Sequence, residues 1–173
     1  MKRVLVVTND SSVFLRDGIA SAFEMFGGRM TEVKNLVARL DSAERGGRKL
    51  CDVSFGVISS RYGFVPGNFV IMRYAGAMSC REDYERVQSE TGYIGRIGEA
   101  AAHFDMTVIC VPKDMFAMML DSGALPDGKV VAVADPRFGE ECRARGWTLL
   151  ERRGARVGRE NADEIVRMAG EPA

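Results

Sequence analysis

The chain has 173 residues, 46% of them hydrophobic and 28% charged, and its 24 basic residues are matched by 24 acidic ones. A chain of this length buries an apolar core without metals or disulfides, and the even balance of charge excludes a chain-wide field for nucleic acid or membrane, leaving any such contact to a local patch. Cys51, Cys80, Cys110 and Cys142 lack CxxC or metal-finger spacing and read as reduced thiols of a cytoplasmic protein, while no apolar run reaches the length of a secretion signal or a membrane span.

Val4 to Val7 is a continuous aliphatic run ended by Thr8-Asn9-Asp10-Ser11-Ser12, the pattern of a buried strand feeding a helix cap. Phe14, Ile19, Ala22, Phe23 and Phe26 recur at helical spacing, which predicts a helix from about Val13 to Phe26 stopped by Gly27-Gly28. A second helical pattern covers roughly Asn35 to Glu44, and Val53 to Ile58 predicts a second strand ending in Ser59-Ser60-Arg61-Tyr62-Gly63, followed by a long loop. Asp83 to Phe104 has helical spacing with a break expected near Thr91-Gly92. Met106 to Val111 and Lys129 to Ala134 read as a third and fourth buried strand, the first leading into a short helix over Met115 to Leu120 and the second into a polar helix ending near Arg145. Thr148 to Leu150 suits a short edge strand and Asn161 to Met168 a closing helix.

Strands alternating with helices predict parallel pairing through right-handed crossovers. The expected architecture is a single α/β domain over residues 1–173: three layers, Rossmann-like, with a mostly parallel sheet of four to five strands and helices on both faces. In such a sheet ligands collect beyond the carboxyl ends of the strands, where helix N-termini converge. That rule nominates Asn9, Asp10, Ser11 and Ser12 after the first strand, Ser59, Ser60, Arg61 and Tyr62 after the second, Lys113 and Asp114 after the third, and Asp135 and Arg137 after the fourth. Arg61, Lys113 and Arg137 suit an anion, and Tyr62 suits stacking on a base or donating its O–H. Asp10 and Asp135 are the acid, base or nucleophile candidates. The bland alternative is that Ser11, Ser12, Asp114 and Asp135 cap helices, and that Tyr62 packs under its loop while Arg61 pairs with a surface acid.

The stretch Ser59-Ser60-Arg61-Tyr62-Gly63-Phe64-Val65-Pro66, with Ile71 and Tyr74 beyond it, resembles the S-x-x-Y-G segment and downstream Ile and Tyr of the YaaA-like proteins and their small archaeal and bacterial relatives. It is also similar to a segment in a domain accompanying archaeal transfer-RNA deazaguanine-modifying enzymes. Phe69 stands where the YaaA-like pattern carries an acidic residue, and Thr8-Asn9-Asp10 replaces the cysteine-serine-lysine opening of the small relatives. The resemblance implies a role connected with nucleobases or nucleic acid, carried onto Ser59, Tyr62, Gly63 and Tyr74.

The only histidine, His103, precedes the third strand, at the end of the sheet away from the crevice, which removes most histidine triads and histidine metal sites. No metal is expected, and no cofactor is named by the residues. Gly154-Ala155-Arg156-Val157-Gly158 imitates a phosphate loop but lacks the Walker lysine. Between Arg137 and Arg159 seven arginines face three acids, a solvated face or a grip on phosphates. Met115, Met118 and Met119 fill a core or serve a homodimer surface. The leading expectation is a protein that binds a nucleotide, nucleobase or other phosphorylated small molecule at the carboxyl ends of its strands, with a link to nucleic-acid modification. A noncatalytic nucleic-acid module and a protein-interaction module stand as alternatives.

Overall fold

The computed structural model describes residues 1–172. β1 (Lys2–Asn9) is followed by β2 (Ile19–Ser21), α1 (Ala22–Met25), α2 (Met30–Ser42) and a small hairpin of β3 (Glu44–Arg45) and β4 (Arg48–Lys49). The chain then forms β5 (Cys51–Ser59), β6 (Gly63–Pro66), β7 (Val70–Met72), α3 (Arg81–Thr91) and α4 (Tyr93–Ala101). It closes with β8 (Met106–Cys110), α5 (Lys113–Ser122), β9 (Val130–Ala134), a 3-10 turn (Pro136–Phe138), α6 (Gly139–Ala144), β10 (Thr148–Glu151) and α7 (Arg159–Ala169).

The central sheet has six strands in the order β10-β9-β8-β1-β5-β6. All neighbours pair in parallel except β5 and β6, which form an antiparallel hairpin. Alternation along β1 separates two cores. Val4 and Val6 meet Met30, Val33, Leu36 and Leu40 of α2 and Ile165 of α7 on one face. Leu5 and Val7 meet side chains of α3, α4, α5 and α6 on the other. Burying each of these aliphatic side chains contributes about 1.5–3 kcal/mol, so both helical layers are fixed to the sheet.

The connection leaving β1 runs through α2 on one face toward β5, whereas the connection leaving β8 runs through α5 on the other face toward β9. Their divergence opens a crevice beyond the carboxyl ends of β1 and β8, the switch point of a doubly wound sheet. This is the expected three-layer α/β architecture, with six strands where four to five are expected. The added strand is β6, an edge strand inside the stretch read as a long loop. Gly63, at φ +69°, makes its turn, and Ser59 Oγ accepts the N–H groups of Arg61 at 3.2 Å and Tyr62 at 3.0 Å. Such a side-chain turn leaves no trace in hydrophobic periodicity.

The helix expected over Val13 to Phe26 does not form as such. Leu15 N–H donates to Met25 O at 2.7 Å, Gly27 N–H donates to Val13 O at 2.9 Å, and β2 pairs antiparallel with β7, leaving only α1 as helix. The Phe14 ring sits 5.2 Å from both Phe26 and Tyr74. Contacts to a segment some sixty residues away override a local helical period, and Asp17-Gly18 breaks it. Ser11 therefore caps no helix; its Oγ accepts Val13 N–H at 3.1 Å in a local turn. The break at Gly92 is present, with φ +63°. Met115 and Met119 are fully buried in the core, and Met118 is half-buried against it. Among the described residues no helix is long and apolar enough to cross a membrane.

Candidate functional site

β1 ends at Asn9 and leads directly into Asp10, two buried polar residues 5% and 2% exposed. Parallel pairing with β5 carries them to the crevice, and Asp10 N–H extends the ladder to Ile58 O at 2.8 Å. Asp10 Oδ2 accepts the Tyr74 hydroxyl at 2.7 Å and the Ser60 N–H at 2.9 Å, while Ser59 Oγ donates to Tyr74 Oη at 2.8 Å. Asp10 Oδ1 and Asn9 Oδ1 are buried without a partner. Burial raises the Asp10 carboxyl above its ordinary range against the lowering effect of the Ser60 and Tyr74 hydrogen bonds and the Arg156 charge. Burial, with the neighbouring Asp10, also pushes the Tyr74 phenol up, so Tyr74 remains a neutral donor.

The opposite wall comes from the carboxyl-terminal segment. Arg156 is 7% exposed. Its guanidinium donates to Thr8 Oγ1 at 3.0 Å, Asn9 O at 2.6 Å and Asp10 O at 2.9 Å, tying the loop after β10 to the end of β1. Burial lowers its pKa to about 10. The same loop is gripped by Glu32 at the start of α2, whose carboxylate accepts the N–H of Arg156 at 3.2 Å, of Val157 at 2.6 Å and of Gly158. Consecutive N–H groups that converge this way form an anion nest, here filled by the protein's own carboxylate.

Two further arginines reach the crevice. Arg152 donates to Val111 O at 2.5 Å and Arg29 to Gly154 O at 3.4 Å. Among the described residues neither has a carboxylate within ion-pair distance, nor does Arg156. Burial lowers the Arg152 pKa, and the Arg29 charge lowers it further. The cleft they border has a volume of about 480 Å³ and is walled by Asn9, Asp10, Ser11, Ser12, Tyr84 and Arg156, among others. A second cavity of about 360 Å³ shares Arg29, Pro112 and Arg152 with it and reaches Lys113 and Asp135.

The structure brings Asn9, Asp10 and Ser11 into the main cleft and Lys113 and Asp135 into its neighbour. Ser59 and Tyr74 stand behind Asp10, and Ser60 joins them through its N–H while its hydroxyl donates to Gly76 O at 2.8 Å. Gly63 is the turn of the β5–β6 hairpin. Arg61 is exposed beside the Tyr62 ring, with its guanidinium carbon 5.7 Å from the ring centre. Tyr62 is half-buried against Phe69 and Tyr74, and its hydroxyl oxygen accepts the Met72 N–H at 3.4 Å. Neither residue walls the two cavities. Arg137 lies 3.6 Å from Asp135, whose carboxylate also caps the 3-10 turn by accepting Arg137 N–H at 2.9 Å. Among the described residues no three His, Cys, Asp or Glu side chains converge as a metal site would need.

Arg29, Glu32, Arg152 and Arg156 are not among the residues that the strand-end rule nominates. Arg152 and Arg156 lie within the run of seven arginines, and the Gly-x-Arg-Val-Gly spacing before a helix marks Arg156 alone. The run does not form one face: Arg145 pairs with Asp127 and Arg153 with Glu151, while Arg152 and Arg156 turn inward. No family model matches the chain, and no curated protein or solved structure matches it.

Proposed function

We propose that the protein binds a phosphorylated small molecule of the nucleotide class, with its anionic group against Arg29 and Arg152 at the carboxyl ends of β1 and β8. The observation that carries this reading is a pair of guanidinium groups bordering the switch-point cleft, neither with a carboxylate within ion-pair distance among the described residues. Arg152 is half-buried and Arg29 exposed at the rim; like charges held beside one another repel and favour an anion, and a guanidinium fork matches phosphate geometry. Arg156 is already committed to Thr8, Asn9 and Asp10, and it shapes the cleft rather than contacting ligand. Among the described residues Asp10 is the only carboxylate walling the main cleft. Its raised pKa makes it the group for a proton transfer there. The resemblance around Ser59 to Tyr74 agrees with a nucleotide, since that network holds Asp10 in place.

Thermal-shift and calorimetric titration with inorganic pyrophosphate tests the anion contact. Arg152→Met and Arg29→Met are each expected to weaken binding about tenfold, one lost charge-assisted contact apiece. Unchanged affinity in both variants would falsify the assignment. A noncatalytic grip on nucleic acid instead predicts a steep fall in affinity with salt, because many phosphates release counterions together. The ion-paired arginines of the carboxyl-terminal run favour the pocket.

A further inference from the structure

The two cavities at the switch point meet at the arginines. Arg29, Pro112 and Arg152 wall both, with one lobe extending over the end of β1 and the other over the ends of β8 and β9. A ligand whose phosphate ended the molecule would fill only one lobe. A ligand with its phosphates in the middle and a substituent on each side uses both.

The lobes differ in chemistry. The larger is bordered by Val13, Met78 and the Tyr84 ring, and its wall holds Asn9 Oδ1 and Asp10 Oδ1, buried acceptors without partners. Apolar side chains with one aromatic ring suit a nucleobase, and orphaned acceptors suit the hydroxyl donors of a ribose. No aromatic ring walls the smaller lobe, where Lys113 supplies a donor and Asp135 a carboxylate beside Ala134 and Gly154. A carboxylate and an ammonium at a small cavity suit the hydroxyls of a second sugar.

From this juxtaposition we infer that the ligand is a nucleoside diphosphate joined to a sugar, with the nucleoside over β1, the diphosphate between Arg29 and Arg152, and the sugar beside Lys113 and Asp135. The inference rests on the phosphate reading above and adds the two arms.

Calorimetry on the full chain separates the parts. Inorganic pyrophosphate probes the centre; UDP, ADP and GDP add the first arm; UDP-glucose, ADP-ribose and GDP-mannose add the second. At least one conjugate is expected to bind about tenfold more tightly than its own nucleoside diphosphate, one added set of sugar contacts. Lys113→Ala, at an exposed side chain whose loss leaves the core intact, is expected to shrink that advantage. If every conjugate binds no better than its parent while pyrophosphate still binds, the two-armed ligand is wrong and the phosphate reading stands. If pyrophosphate, the nucleotides and the conjugates all fail to bind, both readings fall.

Discussion

Asp10 joins the first strand to three other segments, accepting Ser60 N–H and the Tyr74 hydroxyl on one carboxyl oxygen and Arg156 on its main-chain carbonyl. Its pKa is raised, so the folded chain holds the Asp10 proton more tightly than the unfolded chain does. Its contribution to stability is then full below the ordinary carboxylate pKa and is lost as pH rises through the raised value. Asp10→Asn cannot titrate and is expected to escape that loss. Urea unfolding at a series of pH values should show the difference between variant and native chain moving in the variant's favour across that window. A difference that does not change with pH contradicts the account. Tyr74, Ser59 and Asp10 are each nominated by the sequence, but their hydrogen-bonded chain is not, because sequence spacing carries no information about which hydroxyl faces which carboxylate.

At the scale of elements, the strands that position the site are legible because they are buried on both faces and appear as apolar runs, Val4 to Val7, Met106 to Cys110 and Val130 to Ala134, with Thr107 the one polar residue among them. The Gly92 break between α3 and α4 is legible because a left-handed residue there calls for glycine. The segment from Val13 to Phe26 is not, since its aromatic spacing satisfies a helix while its partners, Tyr74 and β7, lie far along the chain. Arg152 and Arg156 escape notice for a related reason: an arginine is ordinarily solvated, and only the fold shows which one is turned inward. Packing between elements gives a second expectation. A Cβ at Gly98 in α4 would stand 2.3 Å from Ala124 O, a main-chain atom that cannot swing away. Gly98→Ala should therefore cost about 1–3 kcal/mol despite its better helix propensity, measurable by chemical denaturation. A stabilised variant would show that the loop after α5 yields.

For the molecule as a whole, the site is assembled from segments far apart in sequence. Arg156 reaches Thr8, Asn9 and Asp10 across 146 to 148 positions of sequence, and Glu32 grips the same loop across 124 to 126. Glu32→Gln keeps the shape of the clamp but removes its charge, and is expected to loosen the 152–158 loop while costing about 1–2 kcal/mol of stability. Amide exchange in that loop, faster in the variant than in the native chain, is the corresponding readout. Equal protection would mean that the arginine contacts hold the loop without the Glu32 charge.

The stitching of the last segment to the first also orders events in time. Contacts so distant in sequence close late in folding, and during synthesis β1, α2 and β5 emerge long before the loop that completes the wall beside them. A nascent chain halted ahead of Arg152 would contain Asn9, Asp10, Arg29 and Glu32 yet present an open trough, its acceptors facing water and its helix-borne carboxylate without the amides it clamps. The cleft would be completed all at once, with the segment that carries Arg152 and Arg156.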